Sequence, residues 1–395
     1  MKIVCASNMP YALEAFGTLG DATAMDGRSI AAEHVRDAAI LATRSTTKID
    51  ADLLDGSAVR FVGTATIGTD HMDIEYLEAA GIRWCYSPGC NANSVSEYVT
   101  SALLCLANRH GFTLEGKTIG VVGVGNVGSL VVRKAETLGL NVLQNDPPRE
   151  RNERSGERPP FVSLDRVVAE SDIVTFHVPL ENGGTDPTFH MADRRLFERL
   201  NPGCVFVNCA RGAVIDTDAL LAAMDSGQVA HAVVDTWEPE PAYRLDLLER
   251  TGIATPHIAG HSFEGKVSGT VMVYREASRF LGQEPSWSPD ELLPEPIVPH
   301  VEVDAAGRGD ETVLWDIVRQ VYDIESDDKR LRDLADPSRE AGRTAHFDGL
   351  RKNYAVRREF RFTKVTLRNA AARLISKVRG LGFRTAQDST SGIPA

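Results

Sequence analysis

Short apolar runs bounded by turn residues recur through the first ninety positions. They are Ile3 to Cys5, Ala38 to Ala42 ahead of Thr43-Arg44-Ser45, and Val59 to Val62 ahead of Gly63-Thr64-Ala65-Thr66. Helical patterns lie between them, and that alternation predicts a parallel sheet covered on both faces, with functional loops at the strand ends. After Asn93-Ser94, the residues Val95, Tyr98, Val99, Ala102, Leu103 and Leu106 recur at helical spacing. This is a long amphipathic helix, with Asn93 or Ser94 as its expected cap.

From Lys117 the alternation sharpens. Thr118-Ile-Gly-Val-Val-Gly reads as a strand running into a glycine turn, Val127 to Leu138 as a helix, and Asn141 to Asn145 as a second strand ending at Asp146. Further strand-like runs follow at Ile173 to His177, Cys204 to Cys209 and His231 to Asp235. A helical run from Gly260 to Phe280 is expected to return to the N-terminal domain. The expected organisation is therefore one α/β domain from 1–95 and 258–283, and a second over 96–257. A proline-rich linker follows at 284–299, then a third region at 300–395 with its own helix from Glu311 to Tyr322. The last ten residues are polar and expected to fray, and no solenoid-type repeat is present.

A chain of 395 residues is too long for one ordinary core, which agrees with several domains. Hydrophobic residues at 43% and charged residues at 25% are those of a globular protein. The N-terminus lacks the extended apolar stretch and cleavage site of a signal peptide, and no run of eighteen apolar residues occurs, so a cytoplasmic protein without membrane contact is expected. Six cysteines without a CxxC pair predict small buried thiols and neither a metal site nor a redox motif. A net charge of −12 disfavours nucleic acid as a partner.

Gly123-Val-Gly125-Asn126-Val127-Gly128 is weak evidence alone, but it stands between a strand and a helix, and Asp146 closes the next strand. That setting is a dinucleotide-binding fingerprint. Gly123 permits the turn, Gly125 lets backbone approach a pyrophosphate, Gly128 allows close helix packing, and the helix N-terminus offers free N–H groups to phosphate. Asp146 would accept from the ribose hydroxyls and repel a 2′-phosphate, which favours NAD over NADP. Arg149 and Arg151 nearby could soften that preference.

Three more segments follow in order: Asn208-Cys-Ala-Arg211-Gly212, Asp235-Thr-Trp-Glu238-Pro-Glu240-Pro241 and Thr255-Pro-His257-Ile-Ala-Gly260. With the glycine motif they resemble the D-isomer-specific 2-hydroxyacid dehydrogenase family over roughly residues 40 to 280. The resemblance implies that Arg211 binds and polarises the acid, that His257 exchanges a proton with the C2 hydroxyl, and that a glutamate orients the histidine. Family spacing selects Glu240 over its competitor Glu238. Asp235 would meet the nicotinamide end of NAD, and Asn126, Val127, Asp146, Thr175, Cys209, Ala210, Arg211 and Gly260 would line the cofactor. The residue types suit the chemistry. Hydride loss from an alcohol leaves a proton for a base that titrates near neutrality, a carboxylate partner favours imidazolium, and arginine offers a planar fork to a carboxylate.

Thr43-Arg-Ser45-Thr-Thr-Lys48, Gly63-Thr-Ala-Thr66-Ile-Gly-Thr-Asp-His71, Ser87-Pro-Gly-Cys-Asn91 and Leu350-Arg-Lys-Asn-Tyr-Ala-Val-Arg-Arg-Glu-Phe360 resemble a narrower branch of that family. Its members act on a small phosphorylated four-carbon 2-hydroxy acid and carry a C-terminal α+β dimerisation domain. By this resemblance two doubly wound parallel-sheet domains precede that domain, the protein is a homodimer, and Ser45, Thr66 and His261 contact substrate. The branch has tyrosine where His261 stands, and histidine can also carry charge. Other readings are a dehydrogenase of another acid, such as 3-phosphoglycerate, and a silent NAD-sensing protein. His71 and His177 are expected to be structural. Between Arg343 and Arg384 twelve basic residues face only Asp348 and Glu359. They form a solvated face, or pair subunits with Arg351, Arg357 or Arg358 reaching a phosphate, or bind nucleic acid.

Overall fold

Apolar strands that are buried on both faces read as continuous runs, and those runs form the middles of two parallel sheets. A computed structural model describes residues 1–153 and 161–385, so the expectation for the last ten residues lies outside it. The chain divides into two compact units, Met1–Asn93 with His261–Glu295, and Ser94–Gly260 with Pro296–Ala395.

In the first unit five parallel strands, β1 (Lys2–Ala6), β2 (Asp21–Met25), β3 (Ala38–Thr43), β4 (Phe61–Thr64) and β5 (Arg83–Cys85), take the order β2-β1-β3-β4-β5. The sequence pattern misses β2 and β5 because both lie at sheet edges, where burial is partial and no apolar run is needed. The helix Phe263–Phe280 belongs to this unit, and its Val273, Tyr274 and Ala277 share a core with Ile3, Ala42 and Phe61. Strand order reverses between β1 and β3, which opens a crevice at their C-terminal ends. The Asn8 side-chain amide donates to Thr46 Oγ1 at 3.2 Å, and Arg44 donates to the Asn8 carbonyl at 3.3 Å, tying the two loops of that crevice together.

The second unit holds six parallel strands in the order β11-β10-β9-β8-β6-β7. They are β6 (Thr118–Val122), β7 (Asn141–Asn145), β8 (Ile173–Phe176), β9 (Cys204–Asn208), β10 (Val229–Val234) and β11 (Ile253–Ala254). Here the reversal falls between β6 and β8. The long helix runs Ala92–His110 and so starts one or two residues before the expected cap, which places Asn93 and Ser94 in its first turn. Ser94 Oγ is used elsewhere, donating to Glu359 Oε1 at 3.4 Å.

Residues beyond 296 add a parallel sheet β12-β13-β14, with β12 His300–Asp304, β13 Lys364–Arg368 and β14 Arg384–Thr385. Val301, Val313, Ile317, Leu374 and Val378 from this region share one apolar core with Leu103, Val131 and Leu138. By packing, then, the C-terminal region joins the six-stranded unit.

That junction buries charge. Glu97 Oε1 accepts from the Phe360 N–H at 3.0 Å, and Lys134 Nζ donates to the Leu381 carbonyl at 2.7 Å. Burial, then the neighbouring Glu359, push the Glu97 carboxyl from an ordinary 4.5 up to about 8. A raised pKa in the folded state adds stability that is complete below the unfolded value and is lost as pH rises through the folded one. Urea midpoints of the parent should therefore fall between pH 5 and 9 relative to Glu97→Gln, which keeps the acceptor for Phe360 but cannot ionise. Parallel midpoints across that range would refute the assignment.

Candidate active site

The glycine turn follows β6 directly. Gly123 has φ +84°, and a Cβ there would sit 2.8 Å from the His177 and Val178 backbone at the end of β8. A Cβ on Gly128 would lie 2.0 Å from the Gly123 carbonyl oxygen, so those two positions admit only glycine without backbone movement. At Gly125 nothing lies within 4 Å, and this exposed residue caps the helix Asn126–Leu138 with no side-chain hydrogen bond. Open space over uncapped N–H groups of Asn126 and Val127 is a cradle for pyrophosphate.

Asp146 fastens this turn. Its Oδ2 accepts from the Val124 N–H at 2.8 Å and its Oδ1 from the Arg149 N–H at 3.0 Å. Arg149 is drawn onto Glu153 and the Val124 carbonyl, and Arg151 onto Asp186, so both nearby arginines already serve carboxylates of this chain. The Thr175 hydroxyl bonds His177 Nε2 at 2.9 Å. Burial pushes His177 down to about 3, which keeps that ring neutral.

The catalytic candidates lie beyond β9, β10 and β11. Asn208, buried at the end of β9, donates from its side chain to the Arg211 and Thr236 carbonyls at 3.1 and 3.3 Å and accepts from the Ala210 N–H at 3.1 Å. Gly212 closes this loop: a Cβ there would stand 1.7 Å from the Trp237 carbonyl oxygen. The Arg211 backbone is therefore pressed against the 237–238 segment. Cys209 is half-buried, and its surroundings hold the thiol protonated, through burial and then the field of Asp235.

Glu240 Oε1 lies 2.6 Å from His257 Nδ1. Glu238 turns elsewhere, to His190 Nε2 at 2.7 Å and to the Thr217 hydroxyl at 3.3 Å. A carboxylate only accepts, so Nδ1 carries the proton of the neutral ring and Nε2 presents its lone pair. Burial alone would raise Glu240, but the adjacent His257 overrides it and, with Arg351, brings the carboxyl below its ordinary value.

His257 adopts φ +53°, a left-handed backbone that costs about 1–3 kcal/mol for a residue with a side chain. Asp235 holds it there. Its carbonyl accepts from the His257 N–H at 2.7 Å, Oδ1 from Thr255 Oγ1 at 2.6 Å and the Ile258 N–H at 2.8 Å, and Oδ2 from the Ala259 N–H at 3.0 Å. Bonds to a charged group are worth about 1.5–3 kcal/mol each, enough to offset the strain. Thr255 Oγ1 has one hydrogen and gives it to Asp235, so Tyr98 donates to Thr255 at 2.7 Å. Trp237 Nε1 donates to the Thr255 carbonyl at 2.8 Å. Gly260, partly exposed, ends the loop.

A family model for the D-isomer specific 2-hydroxyacid dehydrogenase, NAD binding domain, matches residues 93–259, and a second, described as a domain of unknown function (DUF3410), matches residues 292–382. Erythronate-4-phosphate dehydrogenase of Cronobacter sakazakii is 46% identical over 384 residues, 97% of this chain and 98% of that protein. The enzyme of that name from Klebsiella pneumoniae is 45% identical over 97% of this chain and 98% of its own. This chain belongs to the D-isomer-specific 2-hydroxyacid dehydrogenase family, in its erythronate-4-phosphate dehydrogenase branch. It is an NAD-dependent dehydrogenase. In fold it is similar to 3-phosphoglycerate dehydrogenase of Entamoeba histolytica with NAD+ bound, at a TM-score of 0.61 and 23% identity over 71% of this chain and 95% of that one.

Ser45, Thr66 and His261 lie in the five-stranded unit, the first two far in sequence from the set just described and His261 directly after Gly260. Ser45 is exposed in the turn after β3. Thr66 Oγ1 donates to the Gly68 carbonyl at 2.9 Å, so Thr64 donates to Thr66 at 2.8 Å and His71 Nε2–H to Thr64 at 3.0 Å. Half-buried His261 opens the segment that returns to this unit. Sequence reasoning missed Asn208, Gly212 and Thr255 as positioning residues. The signal was present for Asn208, since asparagine at a strand end commonly bonds the following loop backbone.

In a family dehydrogenase built this way, Glu240→Gln should lower kcat/KM about 100-fold, because a carboxamide neither fixes Nδ1–H nor stabilises imidazolium. Glu238→Gln should cost less than a tenth of that. Equal losses in steady-state assays would contradict the pairing.

Proposed function

We propose that this enzyme oxidises 4-phospho-D-erythronate at C2 to 2-oxo-3-hydroxy-4-phosphobutanoate, a step toward pyridoxal 5′-phosphate. The observation that carries the reading is the Glu240–His257 pair at 2.6 Å in the same unit as the glycine turn. The whole-length match to erythronate-4-phosphate dehydrogenases, C-terminal region included, narrows the acid.

The Asn126 and Val127 N–H groups, Asp146, Thr175, Cys209, Ala210, Asp235 and Gly260 would hold NAD, which would supply the hydride acceptor. Arg211 takes the carboxylate in a planar, two-pronged contact and draws charge toward the C2 oxygen. His257 Nε2 removes the hydroxyl proton as C2 loses hydride. Glu240 stabilises the imidazolium that results. Residues 1–95 and 258–283 form the substrate-binding part in this reading, 96–257 the cofactor part, and 300–395 the dimerisation part. Ser45, Thr66 and His261 bind the phosphorylated acid.

A panel of acids decides the substrate. NADH should appear with 4-phosphoerythronate and NAD, faster than with NADP, 3-phosphoglycerate or unphosphorylated erythronate. Faster turnover of 3-phosphoglycerate would transfer the assignment to that substrate.

A cytoplasmic location is part of this reading. A homodimer agrees with Ile297 and Val356, which are 77% and 43% exposed along one groove of the C-terminal region. The parent should sediment as a dimer and the Ile297→Asp, Val356→Asp double variant as a monomer. A monomeric parent at high concentration would end that reading.

A further inference from the structure

The catalytic loop has a second attachment, made by the C-terminal region. Arg357 is only 7% exposed, and its Nη2 donates to the Ala259 carbonyl at 2.7 Å. The guanidinium lies 4.1 Å over the Tyr322 ring, and its Nε and Nη1 find no hydrogen-bond partner among the described residues. Burying a guanidinium with two donors unsatisfied is expensive, and an apolar side chain would fill this space at lower cost. Asp327 and Glu97 lie near enough to support the charge, while the hydrogen bond from Nη2 is directed to the Ala259 carbonyl, two residues after His257. The N–H of Ala259 is already held by Asp235 at 3.0 Å. Asp235 from β10 and Arg357 from the C-terminal region thus grip residue 259 at its N–H and its carbonyl.

The neighbours of Arg357 fix its place. Arg358, Glu359 and Phe360 are also buried, Phe360 is tied through its N–H to Glu97, and its ring stacks on Phe383 at 4.4 Å. Tyr354 donates to Asp327 Oδ2 at 2.6 Å beside the same guanidinium. The segment has little freedom to carry Arg357 away from the loop.

We propose that Arg357 is a positioning residue of the dehydrogenase, which holds the left-handed His257 loop in register so that the C-terminal region completes the proton-transfer site. This rests on the reading of His257 as the base, and the test separates the two.

Full-length Arg357→Gln, Arg357→Lys and Arg373→Ala are compared with the parent. Arg373 pairs with Glu115 and Asp310 on an exposed part of the same region and serves as the control. Expected for Arg357→Gln is a kcat at least about 10-fold lower, because small misplacements of a catalytic group are costly. KM for NAD should stay within about twofold, Arg357→Lys should recover part of the loss, and Arg373→Ala should match the parent. Amide hydrogen exchange at Ile258 and Ala259 should quicken in Arg357→Gln. Unchanged kcat, an equal loss in Arg373→Ala, or a parallel loss of NAD affinity would overturn the proposal. If Arg357→Gln does not fold, Arg357→Met, which keeps most of the volume and removes every donor, takes its place, and unchanged exchange protection at Ile258 and Ala259 in it overturns the proposal. A parent inactive on every acid, with exchange still governed by Arg357, would instead overturn the functional reading alone.

Discussion

Everything in the second unit converges on one buried carboxylate. Asp235 accepts from Thr255, His257, Ile258 and Ala259, and without those bonds a histidine in a left-handed backbone would relax. The carboxylate is costly to bury, and burial raises its pKa from the usual aspartate value. Three nearby donors bring it back toward the charged form. The result is a loop that is rigid because it is electrostatically satisfied, which suits a base that must meet a reacting hydroxyl at hydrogen-bond distance.

A second constraint is steric. Arg211 and the Glu238–Glu240 segment are linked through the contact between Gly212 and the Trp237 carbonyl. The arginine proposed to bind substrate and the glutamate paired with His257 therefore share one backbone frame. Cofactor turn, arginine, glutamate and histidine all follow the C-terminal ends of strands β6, β9, β10 and β11 of one parallel sheet, as open α/β sheets arrange their ligand sites.

Much of this was legible in the chain. β7 falls on Asn141–Asn145 as expected, and β6, β8, β9 and β10 come within two residues, because central strands must be apolar along their length. Edge strands β2 and β5 carry no such signature, and β11, two residues long, has no period at all. The cap of the long helix was misplaced because Ser94 has a distant partner in Glu359, 265 positions away, which no local pattern reveals. Glu240 was separable from Glu238 only by family spacing. In three dimensions the two are distinguished by which histidine each faces. The basic stretch after Arg343 was read as a solvated face, as subunit pairing with arginines reaching a phosphate, or as a nucleic-acid contact, whereas Arg357 and Arg358 are interior residues.

The division of the chain has a bearing on how such an enzyme can be altered. On the proposed reading, the cofactor residues and Arg211, Glu240 and His257 are encoded between Ser94 and Gly260, while Ser45, Thr66 and His261 belong to segments that fold into the other unit. The carboxylate end of the acid would then be read from one stretch of the gene and its far end from others. A designer seeking a hydroxy acid with a different tail would rewrite 1–93 and 261–295 and keep 94–260 as it is.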